Sequence, residues 1–182
     1  MRVITGSARG RRLKTLEGRG VRPTTDRVKE AMFSIIQFEL EGRRVLDLFA
    51  GSGQLGIEAL SRGAAGAVFV DADPRAVRVI EENLANTGLA PLAQVFNADS
   101  LMFVRNRHDH FGIALLDPPY AAGLLAKALE AVAPCMEEDG IMVCELPEKE
   151  ELPDRVGEFK LRRRYRYGKT ELAVYRGGPD LS

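Results

Sequence analysis

The chain has only two cysteines and two histidines among its 182 residues. Cys135 and Cys144 sit in apolar surroundings and read as reduced, buried thiols of an intracellular chain rather than as a disulfide. His108 and His110 flank Asp109 with no cysteine or second histidine pair nearby, so no metal site is expected. No apolar run reaches the about 18 residues that a membrane helix needs. The opening Met1-Arg2-Val3-Ile4-Thr5-Gly6-Ser7 lacks the long apolar stretch of a secretory signal. These absences predict a cytoplasmic protein with no membrane partner. Repeats and low-complexity tracts are also missing.

What is there is ordinary in amount and uneven in placement. Hydrophobic residues make up 45% and charged residues 29%, the balance of a soluble domain. Formal net charge is zero. Yet residues 1–30 hold nine Lys/Arg against three acids, and residues 160–176 hold seven against Glu171 alone. Basic ends on an acidic body predict a polyanionic partner gripped by the termini; the bland alternative is two solvated faces.

Arg2–Gly6 and Arg11–Leu16 read as strands of a basic hairpin around Ser7-Ala8-Arg9-Gly10. Pro23-Thr24-Thr25-Asp26 offers capping chemistry for a helix from Asp26 to Glu39, where Val28, Met32, Ile35, Ile36 and Leu40 keep helical spacing. Residues 1–40 are therefore taken as a basic hairpin-and-helix extension, and 41–182 as the core. In the core, strands are expected at Val45–Phe49, Ala67–Val70, Gln94–Asn97, Ile113–Leu116 and Ile141–Cys144. Helices are expected at Leu55–Arg62, Pro74–Leu84, just after Asp99-Ser100, and at Leu124–Ala133. A closing hairpin pairs Phe159–Arg166 with Glu171–Tyr175. This alternation predicts an α/β fold, a parallel sheet covered on both faces, with ligands at the carboxyl ends of the strands.

The first strand runs into Asp47-Leu48-Phe49-Ala50-Gly51-Ser52-Gly53-Gln54-Leu55-Gly56, a G-x-G-x-x-G turn, and Asp71 ends the next strand. Glycines let the backbone turn tightly and approach a ligand, and Asp71 is placed to accept from ribose hydroxyls. Both features suit any adenosine cofactor. Asp47 separates the candidates: its carboxylate suits the ammonium or sulfonium of a methionine moiety and repels a pyrophosphate. Its structural alternative is to cap the loop that follows.

The fourth strand ends in Asp117-Pro118-Pro119-Tyr120. Two prolines remove two N–H donors and stiffen the turn, leaving the Asp117 side chain and the Pro118 carbonyl as acceptors. An exocyclic amino group on a base offers two donors to match them, and Tyr120 offers a ring for stacking. Acceptors on both N–H bonds stabilise the positive charge that develops on a methylated amine. Asp99, at the end of the third strand, reads either as an acceptor for adenine N6 or as a helix cap. Pro134-Cys135 matches the nucleophile dipeptide of cytosine C5 methyltransferases but follows a helix, so Cys135 is not taken as catalytic.

These residues carry a family resemblance. Asp47–Gly56 resembles methyltransferase motif I, and Asp117–Tyr120 resembles the Asp/Asn-Pro-Pro-Tyr motif of amino-methyltransferases. Met1-Arg2-Val3-Ile4, Gly10-Arg11-Arg12-Leu13, the 22–30 stretch, Leu46–Gly63 and Tyr167-Gly168-Lys169-Thr170 are similar to the RsmD family of bacterial 16S rRNA guanine-N2 methyltransferases. The resemblance spans essentially the whole chain. It implies a Rossmann-like class I methyltransferase fold, a three-layer α/β/α sandwich with a mostly parallel seven-stranded sheet. It implies S-adenosyl-L-methionine as cofactor and 16S rRNA or a small ribosomal subunit particle as partner, with a monomeric enzyme expected. It assigns Asp47, Phe49, Gly51, Ser52, Gly53, Asp71, Ala98 and Asp99 to the cofactor, Asp117, Pro118, Pro119 and Tyr120 to the target amine, and Arg22, Pro23 and Thr24 to the cofactor or RNA entrance. Gln54 stands where the family usually has a small residue, and Asp71 where Glu is common. N6-adenine methylation of DNA or RNA, amide methylation of a protein glutamine, a nicotinamide-dependent oxidoreductase and a non-catalytic RNA-binding module remain as alternatives.

Overall fold

Short apolar strands alternate with one-sided helices, and the chain stacks them in three layers. The structure, a computed structural model, describes residues 1–18 and 25–179. Its elements in chain order are α1 (Asp26–Ile36), β1 (Arg44–Leu48), α2 (Gln54–Ser61), β2 (Gly66–Asp71), α3 (Pro74–Thr87), β3 (Ala93–Asn97), α4 (Ser100–Arg105), β4 (Phe111–Leu116), α5 (Leu124–Val132), β5 (Met136–Pro147), β6 (Arg155–Val156), β7 (Phe159–Tyr167) and β8 (Thr170–Arg176). The strands form one sheet in the order β3-β2-β1-β4-β5-β8-β7-β6. From β3 to β5 they pair in parallel, and from β5 onward antiparallel. Strand order reverses between β1 and β4, the switch point at which such sheets bind ligands.

Period-2 alternation splits the apolar residues between two cores. Val45, Phe69, Leu115 and Val143 face α1, α2 and α3, together with Val3, Ala8 and Leu13 of the N-terminal segment. Leu46, Leu48, Val70, Leu116 and Cys144 face α4 and α5. The first 40 residues thus share one hydrophobic cluster with the sheet.

Helix starts follow capping chemistry. Thr25 accepts from the Val28 amide, Asp73 from Arg75 ahead of Pro74, and Asp99 from Met102. Three expectations change. The sheet has eight strands among the described residues rather than seven, because Arg155–Val156 folds back on Phe159–Lys160 around Gly157, at φ 57°. The N-terminal hairpin forms, with the Val3 amide donating to Arg11, Gly10 to Val3 and Leu13 to Met1, but only the Arg2–Arg12 bridge is regular rather than two full strands. Its other backbone groups turn to the body: Ile4 and Thr5 amides donate to Glu58, and Ser7 to the Ser61 carbonyl. Helix α1 ends at Ile36 rather than Glu39.

Candidate active site

At the carboxyl ends of β1, β2, β4 and β5 lies a cavity of about 810 Å³. Asp47, Phe49, Ala50, Gly51, Ser52, Gln54 and Leu55 from the β1–α2 loop line it, with Asp71 after β2, Asp117 to Tyr120 after β4, and Glu145 on β5. A further wall comes from the N-terminal segment: Met1 and residues 15–18.

The loop is shaped by backbone geometry that few residues tolerate. Phe49 takes φ 63°, unusual for an aromatic, and Gly51 and Gly53 take φ 57° and 78°. Gly56, on the first turn of α2, is required by packing: a Cβ there would stand 2.3 Å from Phe69 Cε1. That close approach brings the Gly56 amide to Asp47, whose Oδ2 accepts from it at 2.9 Å. Asp47 is 1% exposed. Burial pushes its carboxyl well above the ordinary range, against the Gly56 hydrogen bond, and the nearby Asp117 and Asp71 charges push the same way. Asp47 therefore both ties the loop to α2 and lines the cavity. Asp71 accepts from the Gly51 amide through Oδ2, 2.8 Å, and from the Asp73 amide through Oδ1, 2.9 Å, so it holds the glycine turn against the end of β2.

After β4 the sequence-predicted tetrapeptide turns into the same cavity. Tyr120 is 53% exposed there, a large ring held at the mouth. The β4–β5 register ends at the paired Leu116 and Cys144, and Asp117 and Glu145 each follow one residue later and line the same cavity.

Not all expected residues meet at the cavity. Gly53, Ala98 and Asp99 are not among its lining residues. Gly53 is the N-cap of α2, the Ala98 amide donates to the Asp71 carbonyl, and exposed Asp99 caps α4 through the Met102 amide at 2.9 Å. The capping alternative for Asp99 thus describes its contacts. Arg22, Pro23 and Thr24 lie outside the described residues. Cys135 lies just before β5, at the opposite end of the strands, where its thiol donates to the Val104 carbonyl and burial raises its pKa. No cluster of three metal-ligating side chains occurs among the described residues, and no described helix is long and apolar enough to cross a membrane.

The cavity also uses residues that the motifs did not mark. Buried Asn83 of α3 clamps the N-terminal wall: its Oδ1 accepts from the Lys14 amide at 2.7 Å, and its Nδ2 donates to the Lys14 and Ser52 carbonyls. No local pattern announces a contact 69 residues apart in sequence. Glu145 was legible by the rule already used, since it sits toward the carboxyl end of β5. Gln54, noted only as a departure, lines the cavity with a buried Oε1 that has no hydrogen-bond partner among the described residues.

Chemically, the cavity sets carboxylates from Asp47, Asp71, Asp117, Glu145 and Glu17 around glycine backbone. Such a lining attracts a cation and disfavours a pyrophosphate. The orphaned Gln54 oxygen adds an acceptor suited to an ammonium donor. Both observations fit a methionine-bearing adenosine cofactor.

The family model described as "Conserved hypothetical protein 95" matches residues 1–176. The chain is 44% identical over 181 residues to "Putative rRNA methyltransferase YlbH" of Bacillus subtilis (strain 168), covering 97% of this chain and 98% of that protein. It is 33% identical over 177 residues to "Ribosomal RNA small subunit methyltransferase D" of Escherichia coli (strain K12), covering 96% and 89%. Among solved structures, "Putative methyltransferase yhhF" from Escherichia coli superposes with a TM-score of 0.83 at 32% identity, over 97% of each chain.

Proposed function

The chain belongs to the family described as conserved hypothetical protein 95, that of the RsmD-type rRNA methyltransferases, and we propose that it methylates the exocyclic N2 amino group of a guanine in small-subunit (16S) rRNA. One observation carries the reading: Asp117-Pro118-Pro119-Tyr120 lines the same cavity as Asp47 and Asp71. An amine acceptor pair and an adenosine-type loop thus share one space. S-adenosylmethionine supplies an electrophilic methyl on a sulfonium.

The β1–α2 loop would hold the cofactor, with Asp47 and Gln54 for its methionine end and Asp71 for its ribose. Phe49, Gly51 and Ser52 would give it backbone and wall and Gly53 sets the turn, while Ala98 and Asp99, which do not line the cavity, would bear on the adenine end only from beyond it. The Asp117 carboxylate and the Pro118 carbonyl accept from the two N–H groups of the target amine, Pro119 stiffens the turn, and Tyr120 stacks on the base. The nitrogen lone pair, delocalised in the free base, is localised by these acceptors and forms the new N–C bond. S-adenosylmethionine would supply the methyl, the S–C electron pair staying on sulfur, and Asp117 or solvent would take the amine proton. Preorganised acceptors stabilise the cationic nitrogen of the transition state, and alignment supplies proximity. Residues 1–40 act as a basic extension on RNA, and 41–182 as the catalytic core. The enzyme works as a cytoplasmic monomer without metal.

Asp117→Ala tests this. It should lower turnover on small-subunit rRNA by roughly 10²- to 10³-fold, measured with methyl-labelled cofactor. Cofactor affinity by calorimetry should stay nearly unchanged. Unchanged turnover would remove Asp117 from the amine site, and no turnover by the wild type would favour RNA binding alone.

A further inference from the structure

A smaller cavity of about 190 Å³ is lined by Thr25, Arg27, Val28, Glu145, Tyr167, Gly168 and Thr170. Glu145 is the residue it shares with the main cavity. Its carboxylate belongs to a side chain only 5% exposed, on a strand whose neighbours are Cys144 and Leu146 of the core. Adjacent strands lie about 5 Å apart, and Glu145 and Asp117 each follow one step past the Leu116–Cys144 pair that ends the β4–β5 register.

We propose that Glu145 reads the Watson–Crick edge of the target base and makes the site specific for guanine. This rests on the guanine-N2 reading above and goes further, by naming the residue that selects the base. Guanine presents three donors in a row, the N1–H and the two N2–H bonds. The cavity lining offers three acceptors to match them: the Glu145 carboxylate, the Asp117 carboxylate and the Pro118 carbonyl. With the amine on Asp117 and Pro118, N1–H falls to Glu145. Adenine held by its own amine turns an N1 lone pair toward Glu145, acceptor against acceptor, and a buried polar group left so opposed is strongly disfavoured. Sites built on such pairing reject the mismatched analogue by large factors, up to roughly 10⁴-fold.

The test uses small-subunit particles reconstituted with guanine, 2,6-diaminopurine or adenine at the methylated position. Diaminopurine keeps the 2-amino group and replaces N1–H by a lone pair. The wild-type enzyme should methylate guanine and lose roughly 10²-fold or more on diaminopurine. Glu145→Gln, whose amide can donate to N1, should slow on guanine and gain on diaminopurine, narrowing or inverting the preference. Calorimetry with S-adenosylmethionine and a thermal melt should show that the variant still folds and binds cofactor. If either fails, Glu145→Asp replaces it, and its expected result is a loss on guanine with the preference kept. A Glu145→Gln enzyme that folds and discriminates as the wild type does would overturn the assignment of Glu145 alone. A wild-type enzyme that methylates adenine and not guanine would overturn the guanine reading beneath it.

Discussion

Asp47 shows how one side chain serves both fold and ligand. Its Oδ2 satisfies the Gly56 amide at the start of α2, while burial with Asp117 and Asp71 nearby makes its ionised form unfavourable. With no cation bound, the folded-state pKa stands above the unfolded one. The stabilising contribution of the neutral form is therefore complete below the ordinary value of about 4 and is lost as pH rises through the raised folded value. A cofactor cation beside Asp47 restores the preference for the carboxylate. Cofactor binding, at a pH between the ordinary and the raised value, should release a proton. Calorimetry in two buffers of different ionisation enthalpy should give apparent enthalpies that differ accordingly, and Asp47→Asn should remove the difference. Equal enthalpies for the wild type would count against a cation at Asp47.

At the scale of elements, the decisive contact joins α3 to the N-terminal segment. Asn83 is fully buried and fills three backbone partners at once, Lys14 N–H, Lys14 C=O and Ser52 C=O. Asn83→Ala should cost about 2–3 kcal/mol by denaturant unfolding, since buried partners lose their hydrogen bonds. Because residues 15–18 wall the cavity, cofactor affinity should fall as well. A stability loss with intact affinity would mean that this wall does not bear on the ligand. The same contact marks where sequence reading stops. The β1 to β5 alternation was legible because period-2 and helical spacing are local, and Thr25 and Pro74 mark helix starts, whereas the Gly88 cap that carries α3 on to Thr87 was missed. Asp47, Asp71 and Asp117 were legible because strand ends converge at the switch point. The N-terminal hairpin was legible, since Val3, Gly10 and Leu13 amides donate across it, but its docking on Glu58 and Ser61, more than 50 residues away, was not. The buried Lys29, which donates to the Arg2 carbonyl and faces Glu58, completes that seam. Its pKa is lowered by burial, partly offset by the Glu58 charge.

Across the whole molecule, a net charge of zero conceals basic ends. The two ends are not equivalent. On β7, Arg164 pairs with Glu171 and Arg166 with Glu148, so part of that cluster is already neutralised within the protein. At the N-terminus, Arg9, Arg11 and Arg12 are all exposed around the turn that leads into the cavity wall. Affinity for rRNA should fall steeply with salt, by about 0.7 log units per log unit of salt for each single-strand phosphate contacted. Replacing Arg9, Arg11 and Arg12 by Ser should flatten that slope more than replacing Arg164 and Arg166. Filter binding over a salt series would measure both, and a salt-independent affinity would refute the role given to the ends.

The most direct measurement is the identity of the product. Small-subunit rRNA from cells lacking this protein would be incubated with the purified enzyme and isotopically labelled S-adenosylmethionine, then digested to nucleosides and resolved by mass spectrometry. The account predicts label in N2-methylguanosine alone. Label in N6-methyladenosine, or in a cytosine derivative, would contradict it.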